Sequence, residues 1–295
     1  MKRTLVTLYI IVLGIGSLFP YNGLVPALNN VPPHPATNCW LAMGLKGRVQ
    51  EFRTETDEGP ADTKTFWFSS TGLITREESQ DPEGSTETTY KYEYDKAQRL
   101  TAIIKESTGY YWQVTTSWEY TLYFYDQEGY LKRTLTSTDD SCSGDYENYW
   151  DRNGNMIRWI WYDENNDVSS RDIYDYGPEG NLTEVVATDP YGKPVYTERY
   201  EYDSLNHLVR YQISGDGIAT SKTVEYTNDE QGTPIKEVAY DASGKQISIS
   251  RFTNSYDSQG NLVEQRELHS DGTDSWDITR TNTITYYPPF HQTND

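Results

Sequence analysis

Apolar residues are scarce in this chain of 295 residues, and aliphatic residues are especially few. Only 35% of the residues are hydrophobic and the mean hydropathy is −0.80, which excludes a thick aliphatic core. The apolar mass lies instead in 26 Tyr, 8 Trp and 7 Phe. Because tyrosine buries its ring and leaves its hydroxyl for water or a partner, this composition suits a sheet with a half-buried face. The aromatic content also argues against disorder.

Positive charge is also scarce. The chain has 25 Lys and Arg against 45 Asp and Glu, which gives a formal net charge of −20 at pH 7. A field of this sign repels phosphate groups, so we expect no nucleic-acid partner and no affinity for anionic membrane surfaces. Cations remain candidate ligands, although a solvated acidic surface explains the same charge.

Histidine is too sparse and too scattered to suggest a catalytic or metal site. The four histidines are His34, His207, His269 and His291. Their spacing matches neither a metal-ligand set nor a catalytic triad. The acids recur at one place in each repeat, where they serve turns. We therefore expect no enzyme activity, no catalytic residue, no metal and no cofactor.

One segment comes close to a calcium-binding loop. The residues Asp163-Glu164-Asn165-Asn166-Asp167 have the oxygen-ligand spacing that opens such a loop. Val168 stands where the loop needs Gly, however, and Tyr174 stands where it needs a bidentate Glu. A hairpin turn is the favoured interpretation.

Long hydrophobic runs are absent except at the start of the chain. Two positive charges precede an apolar run over residues 5–15, which is too short to span a bilayer core of roughly 30 Å as a helix. This pattern predicts a signal peptide, with cleavage after Gly16 or after Ala27. The predicted divisions are a signal peptide over 1–27, a linker over 28–44 and a repeat domain over 45–290. We expect an exported protein, periplasmic, at the cell surface or secreted, with no membrane insertion after cleavage; an uncleaved anchor is the alternative.

Cysteine occurs only twice, as Cys39 and Cys142. Export would permit the two thiols to pair. A disulfide would close a loop of about a hundred residues and contribute up to roughly 4–5 kcal/mol in the entropic model. Two free thiols are the alternative.

A cassette of aromatic, turn residue and aliphatic recurs eight times. The turn residues are Gly72, Gln98, Gly129, Gly154, Gly180, Asn206, Gly232 and Gly260. Four positions before each stand Phe68, Tyr94, Tyr125, Trp150, Tyr176, Tyr202, Asn228 and Tyr256, and two positions after each stand Ile74, Leu100, Leu131, Met156, Leu182, Leu208, Pro234 and Leu262. Most spacings are close to 26 residues, so one structural unit of that length is repeated along the chain.

A second series of turn residues lies between these eight and divides each repeat into a hairpin. Its members are Gly84, Gly109, Gly144, Asn166, Gly192, Gly217, Gly244 and Gly272. The segments between turns alternate with a period of two, as in Tyr196-Thr197-Glu198-Arg199-Tyr200-Glu201-Tyr202. Regular turns joined by alternating segments predict an all-β antiparallel hairpin meander of 14 to 18 strands. We expect this sheet to be curled or shell-like; a large closed barrel and an extended sheet are the alternatives.

The cassette resembles a known repeat family. Its clearest copies are Tyr123-Phe124-Tyr125-Asp126-Gln127-Glu128-Gly129 and Tyr174-Asp175-Tyr176-Gly177-Pro178-Glu179-Gly180. These resemble the YD repeats, also called rearrangement-hotspot (RHS) repeats, over residues 45–270. The resemblance implies β-sheets wound into shells, binding of carbohydrate or surfaces and, in large members, enclosure of a toxic C-terminal domain. We expect a small exported member without a toxin domain.

Tryptophan supplies the candidate binding residues. Trp159 and Trp161 are two positions apart and so share one strand face, Trp150 lies just before them, and Trp112 and Trp118 fall in the longest interval, between Gln98 and Gly129. We predict that an insertion in that interval lengthens a strand or loop. It should leave at least one tryptophan of residues 110–161 exposed beside a groove.

Two functions are compatible with these tryptophans. Exposed indoles would form a platform for a glycan, and the alternative is that the rings fill the apolar face of the sheet. We expect a non-enzymatic protein that binds carbohydrate or another cell-envelope component. The other candidate is a structural or assembly protein that pairs with another protein through sheet edges or the aromatic face.

Overall fold

The computed structural model of the protein describes residues 39, 43–56, 63–111, 113–139, 145–216, 221–272 and 274–287. The predicted signal peptide, Trp112 and Cys142 lie outside the described residues. The domain boundaries and the pairing of Cys142 with Cys39 therefore stay predictions.

Among the described residues after 48, all the regular structure is β-strand. The strands are β1 Val49–Thr56, β2 Thr63–Phe68, β3 Ile74–Asp81, β4 Gly84–Tyr94, β5 Leu100–Tyr110, β6 Val114–Tyr125, β7 Leu131–Thr138, β8 Tyr146–Trp150, β9 Met156–Tyr162, β10 Val168–Tyr176, β11 Leu182–Thr188, β12 Pro194–Tyr202, β13 Leu208–Ser214, β14 Lys222–Asn228, β15 Pro234–Asp241, β16 Gln246–Tyr256, β17 Leu262–Ser270 and β18 Ser275–Tyr286. These 18 strands confirm the predicted all-β meander. The long interval after Gln98 lengthens β5 and β6 to 11 and 12 residues.

The sheet closes into an 18-stranded antiparallel barrel. Each strand pairs with its neighbours in sequence, and β1 also pairs with β18, with Phe52 opposite Ile284 and Thr54 opposite Asn282. The expectation of a curled or shell-like sheet is therefore wrong. An open sheet would leave the hydrogen-bonding groups along one side of β1 and one side of β18 unpaired, and their pairing removes both edges.

The eight main turns share one pattern of backbone hydrogen bonds, and in seven of them the side chain at the first turn position also accepts from the backbone ahead of it. In the turn after β6, the Oδ1 atom of Asp126 accepts from the backbone N–H groups of Glu128 and Tyr130, both at 2.9 Å. Gly129 then takes a φ of 92°, a left-handed conformation that costs glycine nothing. Gln98 and Asn206 adopt the same conformation at the equivalent places, with φ of 61° and 65°.

The residue four positions before a main turn, most often tyrosine, joins neighbouring repeats in several places. The hydroxyl of Tyr176 donates to the carbonyl of Met156 at 2.8 Å, where the preceding repeat begins its second strand. Asn228 replaces the aromatic in the seventh repeat, and its Nδ2 atom donates to the carbonyl of Leu208 at the same distance, 2.8 Å. At this position Tyr125, Tyr176 and Asn228 therefore each satisfy a backbone carbonyl of the preceding repeat.

The aliphatic residues two positions after the turns form part of the core. One buried cluster consists of Leu100, Tyr123, Leu131, Trp150, Met156, Tyr174, Leu182, Val185, Tyr200 and Leu208. A second consists of Cys39, Met43, Leu45, Val49, Phe52, Phe66 and Phe68. All main turns lie at the same end of the barrel, so the repeat places these buried residues near that end.

The strand register assigns each side chain to the inner or outer wall of the barrel. Antiparallel partners share a face, so Trp159, Asp172, Ala187 and Tyr196 follow one another around the inner wall on β9 to β12. Within β10, the inward Tyr174 is 6% exposed. The outward residue before it, Ile173, is 43% exposed.

The outer wall carries many charges. Outward residues on β10 to β16 include Arg171, Asp175, Glu184, Arg199, Glu201, Arg210, Glu225, Lys236 and Arg251. An apolar exception is the outer β6 stripe, composed of Trp118, Tyr120, Leu122 and Phe124. In the part of the chain that the structure describes, no helix is long and apolar enough to cross a membrane.

Candidate functional site

The structure separates the predicted tryptophans. Trp118 lies on the outer wall and stacks on Tyr120, with ring centroids 6.4 Å apart and planes at 20°. Trp150 is 3% exposed and belongs to the core, which agrees with the filling role for this residue. Trp159 and Trp161 lie together on the inner wall of β9 and are partly exposed.

Trp159, Trp161 and Tyr146 form an inner aromatic cluster. Tyr146 is the cross-strand partner of Trp161 and stacks on it, with centroids 6.3 Å apart and planes at 7°. The rings of Trp159 and Trp161 meet edge to face, at 5.7 Å and 60°. Trp159 also packs against the buried core, which fixes one side of the cluster. Aromatic pairs at these separations stabilise one another beyond the area they bury.

Two carboxylates lie beside the inner aromatic cluster. Asp172 is the cross-strand partner of Trp159, and Glu198 lies two strands further on, opposite Val185. Between them β11 presents the small side chain of Ala187, the partner of Asp172. The sheet register thus places two acids and three aromatic rings on one stretch of the inner wall.

Burial perturbs both carboxylates. It raises the pKa of Asp172 to about 6, and the nearby negative charge of Glu198 adds to this rise. Burial also raises the pKa of Glu198, whereas hydrogen bonds from Tyr200 and Tyr211 and the positive charge of Lys222 lower it. The Tyr211 hydroxyl lies 3.3 Å from Oε1 of Glu198. The hydrogen-bond donors to Glu198 are therefore neutral hydroxyl groups, and Lys222 acts on it only through its charge.

Other inner-wall carboxylates contact a cation directly. Glu77 lies 2.6 Å from Nζ of Lys64, and Glu119 lies 2.5 Å from Nζ of Lys105. Among the described residues, no Lys or Arg stands within ion-pair distance of Asp172 or Glu198. This pair therefore has spare capacity to accept hydrogen bonds from a ligand.

The sequence did not point to Asp172, Glu198 or Tyr146. Nothing in their local sequence marks these three residues. The pairing of β8 to β12 brings them beside Trp159 and Trp161. The available signal was strand parity, which places Asp172 on the same face as Tyr174. That parity does not give the lateral register between strands.

A second polar group on the inner wall contains Ser250, Glu267, His269 and Arg280. The Ser250 hydroxyl donates to Oε1 of Glu267 and lies 2.8 Å from Nδ1 of His269, while Glu267 accepts from Arg280 at 3.3 Å. In a serine nucleophile site the carboxylate instead bonds the far nitrogen of the imidazole. This geometry does not match that triad, because the serine hydroxyl stands between the carboxylate and the ring.

The remaining candidate sites are structural where they are described. Asp163 accepts from the backbone N–H groups of Asn165 and Asp167 at 2.9 and 3.0 Å, and Asn166 has a φ of 63°, so the near-match to a calcium loop is a hairpin turn. Cys39 is buried, and burial raises the pKa of its thiol. Within the described residues, no group of three or more His, Cys, Asp and Glu could hold a metal ion.

Comparisons with known proteins assign no family. No family model matches the chain, and no curated protein matches it. A porin-like protein from Bacteroides uniformis ATCC 8492 is 12% identical, with 81% of this chain and 99% of that chain covered and a TM-score of 0.47. A porin-like protein from Bacteroides vulgatus ATCC 8482 is also 12% identical, with 81% and 98% covered and a TM-score of 0.29.

Toxin complexes also match parts of the chain. The TcdB2-TccC3-Cdc42 structure is 9% identical, with a TM-score of 0.25, and 73% of this chain covers 15% of that chain. The similarity to YD repeats therefore stays a resemblance of motifs.

Proposed function

We propose that this protein is an exported, non-enzymatic β-barrel that binds carbohydrate on its inner wall. The observation that carries the proposal is the inner aromatic cluster beside Asp172 and Glu198. Partly exposed rings on a concave wall supply flat apolar faces, and the adjacent acids supply acceptors that form no ion pair with any Lys or Arg among the described residues.

The chemistry of the two groups suits a sugar. The C–H face of a pyranose ring packs on an aromatic face, and its hydroxyls need acceptors once they leave water. Binding sites commonly combine an apolar lining with a few convergent polar groups. In this proposal Trp159 and Trp161 contact the sugar ring, and Asp172 and Glu198 accept its hydroxyl groups.

The surface charge supports the proposed location and disfavours some classes of partner. A barrel that spans a bilayer needs an outward apolar band about 25 Å tall. Outward Arg, Lys, Asp and Glu on β10 to β16 interrupt any such band, so we propose no membrane insertion after removal of the signal peptide. The net charge of −20 likewise disfavours nucleic acid as a partner. A glycan of the cell envelope is the proposed partner.

The test is a glycan array probed with the chain lacking its signal peptide. We expect Trp159→Ala and Trp161→Ala to weaken glycan binding at least about tenfold, because each removes a stacking face. Trp118→Ala is the matched control on the outer wall and should bind as the unaltered chain does. Absence of any bound glycan, or an equal loss with Trp118→Ala, would contradict the proposal.

An assembly role is the second candidate, and the outer β6 stripe favours it. Tyr120, Leu122 and Phe124 are 44%, 43% and 38% exposed on a wall that carries many charges elsewhere. Closure of the barrel leaves no free edge among the described strands, so a protein partner would contact this face instead. The same experiment separates the candidates: an assembly protein would bind no glycan, and Trp118→Ala would change its sedimentation.

A further inference from the structure

A cavity of about 690 Å³ opens over β12 to β15. Polar and charged residues supply most of its lining, including Arg199, Arg210, Gln212, Thr223, Glu225 and Tyr240. Its volume falls in the range of sites that hold small organic ligands. The cavity does not involve the inner aromatic cluster.

The register explains why these side chains converge. Arg199, Gln212, Thr223 and Tyr240 are successive cross-strand partners, so they form one outward row across β12 to β15. Arg210 and Glu225 form the next row toward the main-turn end. Side chains from adjacent strands in one row lie about 5 Å apart, close enough to contact one ligand together.

Most polar groups in the two rows already have partners. Gln212 donates to the Thr223 hydroxyl at 3.2 Å, the Tyr240 hydroxyl donates to Glu225 at 3.3 Å, and Nε of Arg199 donates to Glu184 at 2.8 Å. These contacts hold the floor and walls of the cavity in fixed positions.

Arg210 is the exception. Its Nη1 atom lies 3.8 Å from Glu201, and its buried Nε atom has no hydrogen-bond partner. The Arg210 side chain is 40% exposed, so its guanidinium group is open to an acceptor in the cavity. A guanidinium group binds a planar carboxylate with two parallel N–H···O bonds.

Charge narrows the ligand class further. Three cations, Arg199, Arg210 and Lys222, line the cavity of a chain whose net charge is −20. Glu225 and Asp241 also line the cavity, so a doubly charged phosphate would meet repulsion there. A single carboxylate on a molecule with neutral hydroxyl or amide groups avoids that repulsion.

We propose that this cavity binds a small organic molecule carrying one carboxylate. Arg210 anchors the carboxylate, Arg199 adds positive charge, and Gln212 and Thr223 contact neutral polar groups of the ligand. An acidic sugar and the C-terminus of a short peptide both present this chemistry. The site is independent of the carbohydrate site proposed for the inner wall.

Calorimetric titration with matched probes tests the proposal. The probes are glucuronate against glucose, and acetyl-dialanine against its C-terminal amide. We expect glucuronate, acetyl-dialanine or both to bind at least about tenfold more tightly than the uncharged counterpart. Added salt should weaken that binding, because an ion pair at a partly exposed cavity is screened. The probe that binds identifies the source of the carboxylate.

Arg210→Gln should reduce carboxylate binding by at least about tenfold, because it removes the charge and the paired donors. Arg251→Gln, the same change elsewhere on the outer wall, should leave binding within about twofold. If neither carboxylate binds better than its uncharged counterpart to the unaltered chain, the proposal is wrong. It is equally wrong if Arg210→Gln binds as well as Arg251→Gln does.

Discussion

Asp172 and Trp159 are cross-strand partners on β10 and β9. Asp172 is a proposed ligand contact, and its ionisation also affects the stability of the fold. The pKa of Asp172 is raised to about 6 because burial, and then the charge of Glu198, disfavours its ionised form. A carboxyl group that is harder to ionise in the folded state than in the unfolded state stabilises the fold most when it is protonated.

Because the pKa of Asp172 is raised in the folded state, its contribution to stability decreases as the pH rises. An exposed aspartate in the unfolded chain ionises near a pKa of about 3.9. The contribution of Asp172 is therefore fully present below about pH 4 and is lost as the pH rises through about 6, on the order of 3 kcal/mol in all. Asp172→Asn cannot ionise, so urea unfolding between about pH 4 and 7 should show a flatter pH dependence and greater stability at neutral pH.

Asp175→Asn provides the control for this experiment, since Asp175 lies on the outer wall of the same strand. It should retain the pH dependence of the unaltered chain. The prediction is wrong if Asp172→Asn and the unaltered chain lose stability in parallel over that range.

At the residue scale, the sequence predicts the aromatic part of the candidate site. Period-two alternation correctly places Trp159 and Trp161 on one face, because parity within a strand is a local property. The alternation could not place Asp172 beside Trp159, because that contact depends on the register between β10 and β9. A shift of one residue would have turned Asp172 to the outer wall.

At the scale of single elements, the hairpin turns were the most predictable part of the fold. Asp at the first turn position and Gly at the fourth each have a local physical role, so their spacing predicts the turn without knowledge of the sheet. Gly180 illustrates the role of the fourth position. Its φ is 82°, and no atom lies within 4 Å of where a Cβ would stand.

Substitution of Gly180 separates backbone strain from crowding. Gly180→Ala should destabilise the protein by about 1 kcal/mol, because alanine disfavours positive φ although space is free. Gly180→Asn should cost less, because asparagine tolerates this conformation, as Asn206 does at the equivalent turn with a φ of 65°. Urea unfolding measures both changes. Equal losses for the two variants would contradict a backbone origin.

At the scale of the whole molecule, the sequence predicted the repeat but not the closure. Every hairpin joins neighbours in the chain, and those contacts would be identical in an open sheet. Closure depends on one long-range pairing, in which β1 meets β18 with Glu55 opposite Thr281. Nothing in the turn spacing reports this pairing, because the two strands belong to opposite ends of the repeat array.

A cross-strand disulfide tests the closure directly. In an open sheet of 18 strands, β1 and β18 would stand roughly 80 Å apart, whereas paired strands bring facing Cα atoms to about 5 Å. Glu55→Cys combined with Thr281→Cys, with Cys39 and Cys142 replaced by Ser, should therefore oxidise to an intramolecular disulfide. Non-reducing electrophoresis and mass spectrometry of tryptic peptides would detect it.

The control joins Glu55→Cys to Thr227→Cys on β14, which does not pair with β1, and should remain reduced. If the first pair stays reduced or forms only links between molecules, the barrel does not close through β1 and β18.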